Sequence, residues 1–152
     1  MPKMTRREAI VLGAGGGAAL ALAGWPGAAL ADAKAAADEV AKFTGGKAAE
    51  RGNITIELPE IAENGNTVPL QVTVNAPMET GNYVSDILVL ADGNPRPGVA
   101  QFQFTPLSGK AIASTRIRLA ATQNIVVVAK TSGGQFFTDQ KLVKVTIGGC
   151  GG

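Results

Sequence analysis

Thr67-Val68-Pro69-Leu70-Gln71-Val72-Thr73-Val74 alternates polar and apolar residues without a break. Successive side chains on a strand point to opposite faces, so Val68, Leu70, Val72 and Val74 share one side. An apolar side backed by a polar one marks a strand lying over a core. The same period of two continues in both directions. Upstream, Ile54-Thr55-Ile56-Glu57-Leu58 alternates in the same way. Downstream, Val84 to Leu90 is a more continuous apolar strand. Val99 to Phe104 sends Phe102 and Phe104 one way and Gln101 and Gln103 the other. Ala111 to Ala120 buries Thr115, Ile117 and Leu119 and exposes Arg116 and Arg118. Ile125 to Ala129 is another apolar run. Gln135 to Ile147 is the last long strand, with Val143, Val145 and Ile147 on one face.

Turn signals separate these segments: Asn64-Gly65-Asn66, Ala76-Pro77, Asp92-Gly93-Asn94-Pro95, Ser108-Gly109 and Ser132-Gly133-Gly134. About seven strands in roughly a hundred residues predict an all-β chain folded as an immunoglobulin-like β-sandwich. The Cys-Trp-Cys core of antibody domains is missing, because Trp25 and Cys150 lie outside the strands. Before the strands, Asp32 to Ala49 is rich in alanine, lysine and glutamate. Ala36, Val40 and Phe43 fall at helical spacing there and predict one short amphipathic N-terminal helix, interrupted by Gly45-Gly46.

The start of the chain reads differently. Thr5-Arg6-Arg7-Glu8-Ala9-Ile10 precedes a glycine-rich apolar run from Val11 to Leu22, and Ala29-Leu30-Ala31 follows. A basic start, an apolar centre and a small-x-small exit predict an export signal over residues 1–31, cleaved after Ala31. The paired arginines make it a twin-arginine signal, although Glu8-Ala9 stands where a polar residue and Phe are usual. A membrane anchor is the competing reading, and alanine and glycine make a poor one. The expected organisation is an export signal at 1–31, a sandwich with its helix at 32–147, and an arm at 148–152.

The whole sequence has 14 basic and 12 acidic residues. Lys3, Arg6 and Arg7 against Glu8 account for the excess, which leaves 11 of each sign in the remainder. A neutral body gives no case for nucleic acid or a charged membrane surface. The chain has no histidine and one cysteine, so histidine-based triads are excluded. No acidic loop offers a metal site, and no cofactor site is expected.

That one cysteine stands in Gly148-Gly149-Cys150-Gly151-Gly152. Four neighbours without side chains have little to hold them down, so the arm is expected to be flexible and its thiol exposed. From Ile147, the two glycines would carry the sulfur on the order of 10 Å clear of the body. Cys150 is the expected site of covalent chemistry, with Gly148, Gly149, Gly151 and Gly152 as its arm. Lys144 is the nearest basic residue, and the carboxylate at Gly152 disfavours a thiolate. Activation of the thiol is therefore expected to come from a partner enzyme.

Together with this tail, Pro59-Glu60-Ile61-Ala62-Glu63-Asn64-Gly65, Val68-Pro69, Asn94-Pro95 and Ser114-Thr115-Arg116-Ile117-Arg118 resemble the SoxY sulfur-carrier family. The resemblance covers most of the chain after the leader. It implies a periplasmic carrier subunit, itself without catalytic activity, in the Sox system of thiosulfate oxidation. It implies a heterodimer with SoxZ, a small β-sandwich subunit, and sulfur adducts such as an S-thiosulfonate and a persulfide on Cys150. It also implies three enzyme partners. A c-type haem enzyme conjugates thiosulfate, a manganese hydrolase releases sulfate, and a molybdenum- and haem-containing dehydrogenase oxidises the sulfane sulfur. Two other readings stay open. One is an exported structural sandwich cross-linked through Cys150. The other is a carrier that forms a thiocarboxylate at Gly152, which needs ATP. Arg116 and Arg118 are read as a solvated strand face, and Glu63-Asn64-Gly65 as turn geometry or a partner interface.

Overall fold

The computed structural model describes residues 27–149, with side chains from residue 33. The export signal therefore lies almost wholly outside the described residues, as do Cys150, Gly151 and Gly152 of the arm. Among the described residues, one helix is followed by ten strands in two sheets. The helix α1 spans Gly27–Thr44, and it begins earlier than the expected Asp32. It ends in a Schellman motif. Gly45 adopts φ 62° and donates to the Lys42 carbonyl, while Gly46 donates to the Ala41 carbonyl at 3.0 Å.

The strands are β1 Glu50–Arg51, β2 Ile54–Glu57, β3 Ile61–Asn64, β4 Val68–Val74 and β5 Met78–Glu79. They continue with β6 Asn82–Ala91, β7 Gly98–Gln103, β8 Ala111–Ile117, β9 Gln123–Thr131 and β10 Phe136–Ile147. The seven predicted strands are all present. The three extra ones are β1, β3 and β5, all four residues or shorter. Each exists through the strand beside it. Their own stretches are too short to show a period, and pairing along β10 or β6 supplies their hydrogen bonds.

The small sheet has the order β2-β4-β8, fully antiparallel. The large sheet has the order β1-β10-β9-β6-β5. There β3 also pairs with β10 and β7 also pairs with β6. Val68, Leu70, Val72 and Val74 are buried, as their alternation requires. They join Val84, Ile87, Val89, Ile125, Val127 and Val143 in one core between the sheets. On β8, Ile117 is buried and Thr115 half-buried, while Arg116 is exposed. Ile147 departs from expectation at 66 % exposed, because β10 there runs beyond the cover of the opposite sheet.

The continuous apolar runs in β6 and β9 also have a reason. Leu90, Val128 and Phe136 are buried yet have the opposite parity to the core residues beside them. They face away from the small sheet, towards the side that the helix occupies. Phe43 of α1 meets Phe136 edge-on at 6.1 Å between ring centres, and Ala36 is buried there as well. Among the described residues, no helix is long and apolar enough to cross a membrane.

Ile87 is fully buried in β6, whereas Leu107 is 97 % exposed in the short 3-10 turn Pro106–Ser108. Ile87→Ala is expected to cost about 2–5 kcal/mol of unfolding free energy by urea titration. Leu107→Ala is expected to stay within about 0.5 kcal/mol of the parent.

Candidate functional site

The tail departs from the end of β10, and the local pairing determines how. β9 accompanies β10 from Phe136 to Val143 and then stops. Beyond that point β10 would lose its hydrogen-bond partners on one side. Two substitutes appear. The Val145 N–H donates to the Thr122 hydroxyl at 2.9 Å. On the opposite side β3 runs parallel, with Ala62 opposite Val145 and Asn64 opposite Ile147. β3 thus carries the chain further along β10 than β9 does.

At the end of this run three stretches of backbone meet. The Gly65 N–H donates to the Ile147 carbonyl at 2.7 Å. The Leu119 N–H donates to the Gly65 carbonyl at 2.8 Å, and the Gly149 N–H donates to the Leu119 carbonyl at 2.8 Å. Each stretch therefore gives to one neighbour and takes from the other. Gly65 and Gly149 are both buried.

The contacts leave no space for side chains. A Cβ on Gly65 would overlap the Leu119 carbonyl oxygen, 2.8 Å from the Gly149 nitrogen. A Cβ on Gly148 would overlap the Ala120 carbonyl oxygen. A Cβ on Gly149 would stand 2.8 Å from the Gly65 carbonyl oxygen and 3.1 Å from the Asn66 Cα. None of these glycines has a positive φ. Their role is to let backbones approach.

This corrects the expected point of departure. The sequence predicts Gly148 and Gly149 as the loose root of the arm, leaving the body at Ile147. Backbone hydrogen bonding continues to Gly149, whose packing against Gly65 makes it part of the sandwich. The physical reason is the missing Cβ, which permits close packing as readily as mobility. Cys150, Gly151 and Gly152 follow outside the described residues.

The remaining singled-out residues have plain places. The Asn64 Oδ1 accepts from the Asn66 N–H at 2.9 Å, an Asx-type turn that presents Gly65 to Leu119 and Gly149. Asn64-Gly65 thus has the turn geometry expected of it. Arg116 and Arg118 are exposed, and Arg116 reaches the Thr67 hydroxyl at 3.4 Å. Among the described residues, no group of three or more acidic, histidine or cysteine side chains could hold a metal ion. Sequence reasoning missed Leu119, Ala120 and Thr122 as the other wall of the tail's root. Nothing in their spacing points to it, because their partners lie more than twenty residues further on.

The family model described as "Sulfur oxidation protein SoxY" matches residues 40–150. The sulfur carrier protein SoxY from Chlorobium limicola f thiosulfatophilum is a similar solved structure. It is 35% identical, with a TM-score of 0.64, and the match covers 76% of this chain and 99% of that one. Superoxide reductase (neelaredoxin) from Ignicoccus hospitalis gives a TM-score of 0.56 at 17% identity. That match covers 62% of this chain and 80% of that one, and a likeness at this identity shows the fold alone. A comparison with the curated proteins finds no match.

Gly65→Ala is expected to cost about 1–3 kcal/mol, because the added methyl forces the Leu119 and Gly149 backbones apart. Gly98 has open space around its Cβ direction and no positive φ. Gly98→Ala should be neutral within about 0.5 kcal/mol. Chemical denaturation of the two variants side by side checks the contrast.

Proposed function

Because the chain belongs to the SoxY family of sulfur oxidation proteins, we propose that it is a covalent sulfur carrier with Cys150 as its point of attachment. The observation that carries this reading is the place of the sole cysteine. In sequence it follows directly on Gly149, which is bonded to the sandwich where β3, the 118–122 turn and β10 meet.

The chemistry needs one sulfur. The thiol loses its proton and forms a bond to the outer sulfur of thiosulfate. Two electrons leave to the haem of the conjugating enzyme, and a Cys-S-S-sulfonate remains. Water then cleaves the terminal sulfonate as sulfate and leaves a persulfide. The dehydrogenase oxidises that sulfane sulfur to a Cys-S-sulfonate, three waters supplying the oxygens and six electrons passing to the dehydrogenase, and a second hydrolysis releases sulfate and returns the free thiol. The carrier supplies no acid, base or metal to these steps. The chain has no histidine, and its thiol is without a nearby cation in sequence, so ionisation falls to the partner enzymes. Gly151 and Gly152 add no bulk beside the thiol and suit entry into a narrow cleft.

The same reading takes residues 1–31 as a twin-arginine signal and places the mature chain in the periplasm, paired with a SoxZ-like sandwich subunit. The three enzyme partners are those that the family resemblance implies. Cleavage after Ala31 would fall within α1 and would leave Ala36, Val40 and Phe43 on the body. An obligate partner should bury about 1,600 Å² or more.

Mass spectrometry of the complex purified from the periplasm of thiosulfate-oxidising cells tests these statements together. The expected result is a chain beginning at or near Asp32, a one-to-one second subunit, and sulfur adducts on the Cys150 peptide. Cys150→Ser should keep its fold and its partner and carry no adduct. Sulfur on the Gly152 carboxylate, or Cys150 found only in disulfide dimers, would replace this reading with one of its two rivals.

A further inference from the structure

Asn94 is 2 % exposed and is the only polar side chain among the largest fully buried ones of the described residues. It lies in the β6–β7 connection, far from the tail in sequence. Its side chain makes three hydrogen bonds. The Nδ2 donates to the Arg118 carbonyl at 2.9 Å, and the Oδ1 accepts from the Ala120 N–H at 2.9 Å and from the Gln123 Nε2 at 2.8 Å. Gln123 is 4 % exposed and completes the set. Its Nε2 donates to the Ala121 carbonyl at 3.0 Å, and its Oε1 accepts from the Gly93 N–H at 2.8 Å. No buried side-chain nitrogen or oxygen among the described residues lacks a partner.

Every one of these bonds has an end on residues 118–123, the connection between β8 and β9 together with the first residue of β9. The connection is not a strand, and outside this network it is held by the Leu119 N–H on the Gly65 carbonyl and by the buried Leu119 side chain. Between the bonded groups lie Leu119 and Ala120. The Leu119 carbonyl accepts the Gly149 N–H, and the Ala120 carbonyl stands where a Cβ of Gly148 would be. The network thus grips the turn on both sides of the two carbonyls that meet the root of the tail.

We propose that Asn94 and Gln123 are positioning residues for the tail: by fixing the Arg118–Ala121 turn from within, they hold the carbonyls that seat Gly148 and Gly149, and so set where the chain leaves the body. A turn held by surface contacts alone would present the Leu119 carbonyl over a range of positions. A satisfied buried network specifies one arrangement, and an apolar residue at position 94 would fill the volume without specifying it. The bearing of this on sulfur transfer rests on the carrier reading above. The anchoring itself does not, and the test reads the anchoring.

Amide hydrogen exchange at Gly149 is measured in the complete protein, together with the spectrum of a nitroxide attached to Cys150. Asn94→Ala is compared with Ile87→Val, a core variant outside the network. The expected result for Asn94→Ala is a rise of roughly tenfold or more in exchange at Gly149, the size that follows from cutting a buried polar network. The nitroxide should become more mobile at the same time, while Ile87→Val leaves both readouts unchanged. Should Asn94→Ala fail to fold, Gln123→Leu removes the second half of the network at similar volume and should show the same pair of changes. Unchanged exchange at Gly149, or an equal change in Ile87→Val, would overturn the proposal. Failure of both network variants to fold would overturn it too, since the network would then be holding the sandwich itself.

Discussion

Three backbones pass within hydrogen-bonding distance of one another at Gly65, and the end of the molecule depends on that crossing. The β3 turn, the β8–β9 turn and the tail each satisfy one another's amide groups there. The arrangement is possible only because Gly65, Gly148 and Gly149 have no Cβ to intrude. Remove the space and the three segments separate, each with a buried N–H or carbonyl left without a partner.

The crossing explains features that otherwise look unrelated. β3 is short and has little apolar content, yet it is needed because β10 outruns β9 and must be paired on its other side. Thr122 serves as a one-residue substitute for the missing strand. The sandwich beneath resembles superoxide reductases at an identity where only the fold is shared. The two sheets are a common scaffold.

Much of the scaffold is legible in the sequence, since alternation in Val68–Val74 and in Ala111–Ile117 depends only on which side of a strand faces the core. β3 is not legible in that way. Ile61–Asn64 has no period of its own and takes its conformation from a strand more than eighty residues later. Gly148 and Gly149 are plain to see, but a glycine shows what is missing and not what lies opposite. Mobility and close packing need the same residue, and only the backbone of Leu119–Ala120 decides between them. Asn94 stands out as part of an Asn-Pro turn. Its burial does not, because its partners are 24 to 29 residues away in the chain.

The seating of Gly148 and Gly149 has a thermodynamic consequence. Fixing the backbone of one residue removes about 1–2 kcal/mol of conformational entropy at room temperature. A tail free from Ile147 onward would lose that freedom at every residue each time an enzyme closed around it. Here two of those residues have surrendered theirs during folding, once, and not at each encounter. The difference, on the order of 2–4 kcal/mol by the same measure, corresponds to a factor of roughly thirty to a thousand in the equilibrium for docking. On the carrier reading proposed above, a chain visited in turn by several enzymes would gain that advantage with every one of them, whatever the shape of the individual cleft.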